Sequence, residues 1–221
     1  MDIHEIEASL ENSDFQYRLK AIAALKDYTP EIAVPLLKAK LNDPEFLVRS
    51  FVSRGFGQQQ TAESFAALLQ IIKLDNTPNV RAEAANSLSL FGQCAASHLV
   101  LTFIQDDHWL VRRSILGALV DMGCHNEIFE VCVEALAGED MTTQEAAVDG
   151  LGALAGTIQE QAALAQLLRL AGSEYEGIRQ HTASALKHFD DPQAKEVLSQ
   201  LRQDSHHRVV GAALENLLEN S

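Results

Sequence analysis

The stretch DHWLVRRSILGAL, residues 107–119, decides the fold because its pattern recurs along the chain. In the five clear copies a branched or aromatic residue and an arginine are followed, six and seven residues after the arginine, by a small residue and a large apolar one. The copies are YRLKAIAAL (17–25), VRSFVSRGF (48–56), VRAEAANSL (80–88), VRRSILGAL (111–119) and IRQHTASAL (178–186), with two weaker ones, AAVDGLGAL (146–154) and HHRVVGAAL (206–214). Successive copies end 28 to 35 residues apart, so the chain is predicted to be a repeat array.

Each copy has the periodicity of an amphipathic helix. In the third copy the apolar and small residues fall at helical spacing on one face: Val80, Ala84, Ser87, Leu88 and Phe91. A second apolar stripe fits between successive copies, as in 31–41, 62–74, 127–137 and 161–171. We therefore predict an all-α fold, a right-handed α-α superhelix of about seven helix pairs, forming a single domain over residues 1–221.

Proline and glycine mark the predicted helix boundaries. A capping side chain before a proline at the first helical position is expected at Thr29-Pro30, Asp43-Pro44, Thr77-Pro78 and Asp191-Pro192. Helices are expected to end in the left-handed conformation at Gly57, Gly92, Gly123 and Gly156. The polar tail ENLLENS, residues 215–221, is typical of a capped end.

The composition excludes several classes of partner. Lysine and arginine total 17 against 31 acidic residues, giving a formal net charge of −14, which argues against nucleic acid and anionic membrane surfaces. Since no apolar run approaches the roughly 20 residues that span a bilayer, and the N-terminus lacks a signal-peptide pattern, we expect a cytoplasmic protein without membrane insertion.

The three cysteines are expected to be reduced thiols, because their number is odd and no C-x-x-C spacing occurs. Cys132 falls within an apolar stripe and is predicted to be a core residue. Cys94 and Cys124 are expected at helix starts, where the helix dipole lowers the pKa of a thiol.

The repeat unit resembles a known family. Its pattern, best developed over 43–56 and 107–119, is similar to short HEAT-like repeats of the phycobilin-lyase type. The segments 76–92 and 106–119 further resemble small cyanobacterial proteins built only of these repeats, which include E/F-type bilin lyases and a phycobilisome-degradation protein. The resemblance implies a HEAT-like solenoid that binds a phycobiliprotein or its open-chain tetrapyrrole and promotes bilin detachment or transfer.

An alternative function stays open within this resemblance. The chain can be a non-catalytic scaffold or adaptor that binds a protein partner, for example in the regulation of iron–sulfur cluster assembly. No catalytic constellation is visible in the sequence, and no cofactor is implied beyond a possible bilin ligand. The histidines show no spacing that completes a metal site, so none is predicted.

The repeated arginines are predicted to be structural, each pairing with an acid or with carbonyl groups of a neighbouring repeat: Arg18, Arg49, Arg81, Arg112 and Arg179. Positions one and five residues beyond them are expected to face away from the core. Most are small or neutral, whereas Arg54 and Arg113 are basic, and two guanidinium groups suit two propionates or an acidic patch. Solvated surface charge is the alternative interpretation.

Four further residues complete the candidate binding set. Trp109, with His108 beside it, begins the helix of the fourth copy, where a tryptophan is either a wedge between repeats or an exposed anchor. Tyr175 has a comparable place in the sixth copy, and His181 lies two residues beyond the repeat arginine. The predicted ligand- or partner-binding residues are thus Arg54, His108, Trp109, Arg113, Tyr175 and His181.

Overall fold

A computed structural model describes the backbone of residues 1–218 and the side chains of residues 1–215. The predicted capped end at 215–221 therefore lies largely outside the described residues. Within this range the chain forms helices and no β-strand. The α-helices are α1 (Ile3–Leu10), α2 (Phe15–Ala24), α3 (Pro30–Lys38), α4 (Phe46–Gln59), α5 (Ala62–Leu74), α6 (Pro78–Ser89), α7 (Ala96–Gln105), α8 (Trp109–Asp121), α9 (His125–Ala137), α10 (Met141–Gly152), α11 (Glu160–Leu170), α12 (Glu176–Leu186), α13 (Pro192–Leu201) and α14 (His207–Leu218).

These fourteen helices of the described range form seven consecutive pairs, which confirms the predicted all-α HEAT-like repeat fold. We call α2, α4, α6, α8, α10, α12 and α14 the second helices. The chain divides into two compact units, unit 1 (1–118) and unit 2 (119–221). In unit 1, α2 packs on α4 and α4 on α6; in unit 2, α10 packs on α12 and α12 on α14. Each unit thus has a continuous layer of second helices over a shared apolar core.

Four of the five repeat arginines form an ion-pair ladder, as the sequence predicts. The fifth, Arg112, donates through Nε to the carbonyl oxygen of Asp106 in its own loop, at 2.6 Å. Arg49 shows the arrangement: its Nε and Nη2 donate to the Asp75 carboxylate at 2.7 and 3.1 Å, and its Nη1 donates to the carbonyl oxygen of Asp43 at 2.8 Å. The pairs of this arginine ladder are Arg18–Asp43, Arg49–Asp75, Arg81–Asp106 and Arg179–Asp204. Each arginine therefore ties its own helix start to the loop of the next repeat.

The aspartates of the ladder also order the turn in which they lie. Oδ1 of Asp75 accepts the backbone N–H of Thr77 at 2.8 Å, and Asp43 accepts that of Glu45 at 3.0 Å. The prediction that Asp43 caps a helix at Pro44 is consequently wrong, since α4 begins two residues later, at Phe46. Helices do begin at the other three predicted prolines, Pro30, Pro78 and Pro192. The predicted capping side chain is confirmed only at Asp191, which accepts the N–H of Gln193, whereas Thr29 and Thr77 make no such bond.

The ladder corrects the alignment of the two weak copies. Nε2 of Gln144 donates to the carbonyl oxygen of Gly138, six residues earlier, as each repeat arginine does with its own loop. Gln144 therefore holds the arginine position, and the fifth copy is TQEAAVDGL (143–151), three residues before its predicted place. In the seventh copy Asp204 accepts the N–H of His206, which moves that copy by three residues as well and puts Val210 at the arginine position.

Three of the four predicted glycines take the left-handed conformation, but only Gly123 lies at a helix end. The helices α6 and α10 already end at Ser89 and Gly152, three and four residues before Gly92 and Gly156. Gly92, Gly123 and Gly156 have φ of 72°, 65° and 72°, in the left-handed region that favours glycine. The prediction for Gly57 is wrong, because α4 continues to Gln59 and Gln60 takes the left-handed conformation instead. Gly57 instead allows α4 and α6 to pack closely, because a Cβ there would lie 2.9 Å from Cβ of Ser87 on α6.

The Arg179–Asp204 pair predicts a pH dependence of unit 2. The hydrogen bond from Arg179 lowers the pKa of Asp204 below its ordinary value of 3.8. A carboxyl group whose pKa is lower in the folded state stabilises the fold above the unfolded-state pKa and loses this contribution as the pH falls through the folded value. Asp204→Asn should therefore flatten the acid side of the stability profile of unit 2, measured by urea denaturation at pH 7 and at pH 3. Glu196→Gln, which removes an exposed acid of α13 that has no ion pair among the described residues, is the control and should leave the slope unchanged.

Candidate functional site

Trp109 is the first residue of α8, and part of its side chain is exposed to solvent. Its side chain is 42% exposed, and its ring stacks on the His108 imidazole at a centroid distance of 5.9 Å and an interplanar angle of 26°. Nδ1 of His108 accepts the backbone N–H of Leu110 at 3.2 Å, which holds the imidazole at the helix start. The ring is thus presented to solvent by a fixed neighbour, the arrangement expected of an anchor.

The place of Trp109 in the repeat is itself recurrent. Every second helix begins three residues before its repeat-arginine position, and the first residues are Phe15, Phe46, Pro78, Trp109, Met141, Glu176 and His207. Large apolar side chains are common there, and Phe46 is 38% exposed. What distinguishes the fourth copy is the tryptophan combined with the residues one and two turns further along α8.

Arg113 and Gly117 continue the exposed line from Trp109 at intervals of four residues, so the three share one face of α8. We call Trp109, Arg113 and Gly117 the α8 strip. Arg113 is exposed, and within the described residues its guanidinium has no ion-pair or hydrogen-bond partner. No atom lies within 4 Å of a Cβ built on Gly117, so the helix backbone is bare at this point.

Arg54 differs from Arg113 because its guanidinium is already occupied. It donates through Nε and Nη2 to the two carboxylate oxygens of Glu83 on α6, at 2.9 and 3.2 Å, and lies over the Phe51 ring. The hydrogen bond that Arg54 donates to Glu83 raises the pKa of Arg54, so the guanidinium stays charged. Any anionic ligand that used Arg54 would have to compete with Glu83 for it.

Tyr175 and His181 lie in unit 2, on the second-helix layer. Nδ1 of His181 lies 2.7 Å from a carboxylate oxygen of Asp149, and Nε2 lies 4.0 Å from one of Glu145, so the imidazole joins α12 to α10. Tyr175 precedes α12 as its N-cap residue and is 58% exposed. The structure brings His181 to two acids but shows no contact of Tyr175 with this group in the described part of the chain.

The sequence reading missed these two acids because the fifth copy was placed three residues late. With Gln144 at the arginine position, Glu145 and Asp149 occupy the outward positions one and five residues beyond it. A cavity of about 630 Å³ adjoins Asp149, between the C-terminal ends of α10 and α12. Its walls are mostly small residues, and Lys187 and His188 also line it.

The three cysteines are free thiols, and one expectation about them fails. Cys132 is completely buried, as predicted, and burial raises the pKa of its thiol. Cys124 precedes α9 as expected, but it is buried, and this burial raises the pKa of the thiol instead of lowering it. Cys94 is exposed, and its Sγ lies 3.3 Å from the carbonyl oxygen of Phe91.

The described residues contain neither a cluster of metal-binding side chains nor a membrane-spanning helix. No group of three or more histidine, cysteine, aspartate or glutamate side chains is arranged to hold a metal ion in this part of the chain. Nor does any helix in the same range combine the length and apolar character needed to cross a membrane.

Comparisons with solved structures support the repeat architecture. The chain is similar to a chain of the complex of CpcE and CpcF of phycocyanin lyase from Nostoc sp. PCC7120, with 20% identity, a TM-score of 0.54 and coverage of 100% of this chain and 88% of that one. It is also similar to YibA of Escherichia coli, with 15% identity, a TM-score of 0.64 and the same coverages. At these identities the likeness shows the fold alone.

Sequence comparison identifies the family. No curated protein shows a significant sequence match to the chain. The family described as HEAT repeats matches residues 4–89 and 129–218, most of the chain, and leaves out the segment that holds α7 and the α8 strip. The protein therefore belongs to the HEAT-repeat family.

Proposed function

We propose that this HEAT-repeat protein binds phycobiliproteins, through the chromophore or the holoprotein, and promotes bilin detachment or transfer in the cytoplasm during phycobilisome turnover. The partner class is suggested by the repeat pattern and by the fold likeness to the CpcE–CpcF complex. The observation that carries the site is the α8 strip, where an exposed indole lies one turn from the guanidinium of Arg113, which has no partner among the described residues. An aromatic face can cover a tetrapyrrole or an apolar side chain, and a guanidinium can bind a carboxylate with two hydrogen bonds.

The other predicted residues have supporting roles in this proposal. His108 holds the indole in place, and Arg54 serves as a second cationic group only when Glu83 releases it. Tyr175 and His181 belong to unit 2 and offer an aromatic hydroxyl and an imidazole held between two carboxylates. We propose that they contact the same large partner, because a phycobiliprotein offers more surface than the α8 strip covers.

The proposal is tested by mixing the purified protein with phycocyanin. We expect a complex whose bilin absorbance differs from that of free phycocyanin, with release of covalently bound pigment over time. Replacing Trp109 and Arg113 together by alanine should weaken the complex at least tenfold, because the strip loses its apolar and its charged contact. Far-UV circular dichroism should be unchanged, since both side chains are exposed.

A matched variant separates the strip from a general surface effect. Phe46→Ala combined with Arg208→Ala removes an exposed ring at the same helix position of α4 and an exposed arginine of α14. This variant should bind phycocyanin as the unmodified protein does. Equal binding by all three proteins would show that the strip is not the binding site.

The second candidate function is that of a non-catalytic adaptor for a protein partner, such as a regulator of iron–sulfur cluster assembly. The Arg54–Glu83 pair favours it, because only one of the two arginines proposed to hold bilin propionates is free of an ion pair. A stable complex with phycocyanin whose bilin absorbance and pigment content stay unchanged would support the adaptor function over the lyase-like one.

A further inference from the structure

We infer that the α8 strip is a binding site for an α-helix of a protein partner, and that this helix carries an apolar, an acidic and a small residue on one face. This inference rests on the proposed function in so far as the strip is a binding site. It goes further in naming the chemistry and secondary structure of the bound segment.

Gly117 has no role in the fold that another residue could not fill. Glycine is disfavoured within a helix, and it is retained where a positive φ or a close packing contact requires it. Gly117 has neither, since it lies in regular α8 and nothing lies within 4 Å of a Cβ built on it. Gly57 and Gly152 differ, because a Cβ on either would press on the neighbouring second helix. A bare helix backbone allows a second helix to approach closely, because the distance between helix axes depends on the side chains at the contact.

Arg113 sets the charge of the bound segment. The chain carries a formal charge of −14. Two other arginines, the neighbouring Arg112 and the outward-facing Arg54, already have partners: Arg112 donates to the carbonyl oxygen of Asp106, and Arg54 pairs with Glu83. Arg113 is therefore an exposed cation available to a partner. The complementary group is a carboxylate, which a guanidinium binds with two parallel hydrogen bonds.

The spacing of the strip favours a helix over a flat ring system. Trp109, Arg113 and Gly117 succeed each other at one helical turn, roughly 6 Å apart along the axis at 1.5 Å per residue. A second helix that crosses at a small angle presents side chains at the same interval on one face. Its apolar residue would cover the indole, its acidic residue would pair with Arg113, and its small residue would lie over Gly117.

The inference is tested with a defined probe that does not depend on phycocyanin. The probe is an 18-residue capped helical peptide without tryptophan, with leucine, glutamate and alanine at successive four-residue intervals on one face. Trp109 is the only tryptophan of the chain, so its emission reports binding directly. We expect saturable quenching by this peptide. A peptide with lysine for glutamate should bind at least tenfold more weakly, as should one of the same composition with the three residues on different faces.

Variants of the strip give the sharper comparison. Arg113→Glu should reverse the preference, so that the lysine peptide binds better than the glutamate peptide. Gly117→Leu should abolish binding while the protein keeps its helicity, because the new side chain extends into open space and blocks the approach of the peptide. Gly211→Leu is the matched control, since Gly211 of α14 is equally bare but lies outside the strip.

The outcomes are decisive for the inference. Absence of a response to the glutamate peptide, equal response to the peptide with scattered residues, or unaltered binding by Arg113→Glu and Gly117→Leu would each overturn it. Failure of the proposed function looks different: the protein would bind the glutamate peptide through the strip and yet form no complex with phycocyanin. Binding of free bilin that Gly117→Leu leaves intact, without peptide binding, would identify the strip as a pigment site and refute helix docking.

Discussion

Replacing Asp43 by alanine is expected to lower the free energy of unfolding of unit 1 by about 3–5 kcal/mol, the cost of breaking a buried ion pair from one side. The side chains of Asp43 and Arg18 are only 4% and 9% exposed, and their closest nitrogen and oxygen atoms lie 2.9 Å apart. Without Asp43 the guanidinium keeps the carbonyl groups of Asn12 and Ser13 but loses its counter-charge. Urea denaturation followed by circular dichroism and by Trp109 emission measures the loss.

A double variant tests whether the uncompensated charge is the cause. Arg18→Met combined with Asp43→Ala removes both charges, so it should recover a large part of the stability that Asp43→Ala loses. Glu83→Gln is the exposed counterpart, because its partner Arg54 is 55% exposed, and it should cost less than about 1 kcal/mol. A loss for Asp43→Ala as small as that for Glu83→Gln would contradict the structural role of the ladder.

The second large effect is expected at Gly57, where valine should destabilise unit 1 by about 3 kcal/mol through overpacking. The added Cβ would lie 2.9 Å from Cβ and 3.2 Å from Cα of Ser87, and the latter is backbone that cannot rotate away. The α4–α6 contact would therefore have to open. The same urea experiment measures the change. If the free energy of unfolding falls with urea concentration as steeply as in the unmodified protein, the folded state of the variant remains compact.

Two comparisons control for the general effect of replacing a helical glycine. Ser87→Gly removes the nearer atom and should restore part of the stability of Gly57→Val. Gly117→Ala, where the space is open, should instead raise stability by about 1 kcal/mol, because alanine is the better helix former. If Gly57→Val were as stable as the native protein, the close approach of α4 and α6 would be disproved.

The sequence predicts the structure best at positions where a residue type has a single physical role. The arginine at a fixed place in five of the seven copies predicts the ladder, because a guanidinium that is largely buried needs an acid or a carbonyl group as its partner. The two copies without this arginine were misplaced by three residues. Ala, Val and Leu fit several helical registers equally well, and only the bond from Gln144 to Gly138 fixes the correct one.

The sequence predicts which side chains of the candidate site are exposed, but not which of them have ion-pair partners. The pattern placed Arg54 and Arg113 on outward positions, and both are exposed. Which of them is free depends on an acid about 30 residues away in the next repeat, Glu83, and the apolar periodicity does not reveal such a partner. Gly117 could not be distinguished from Gly57 either, because the free space around a glycine is a property of the packed neighbours.

The arginine ladder also means that whole repeats can be removed or added with little change in the remaining ion pairs. Each ladder aspartate orders its own loop and accepts whichever arginine precedes it, so excising one whole period between Arg18 and Arg49 would bring Asp75 to the place that Asp43 now holds. Loss of a repeat in unit 1 therefore removes one ion pair and duplication adds one, while the other pairs are kept. The fifth and sixth repeats lack this property, because Gly138 and Ser173 stand where the carboxylate would be. Growth of the array by gene duplication is thus easiest in its N-terminal half.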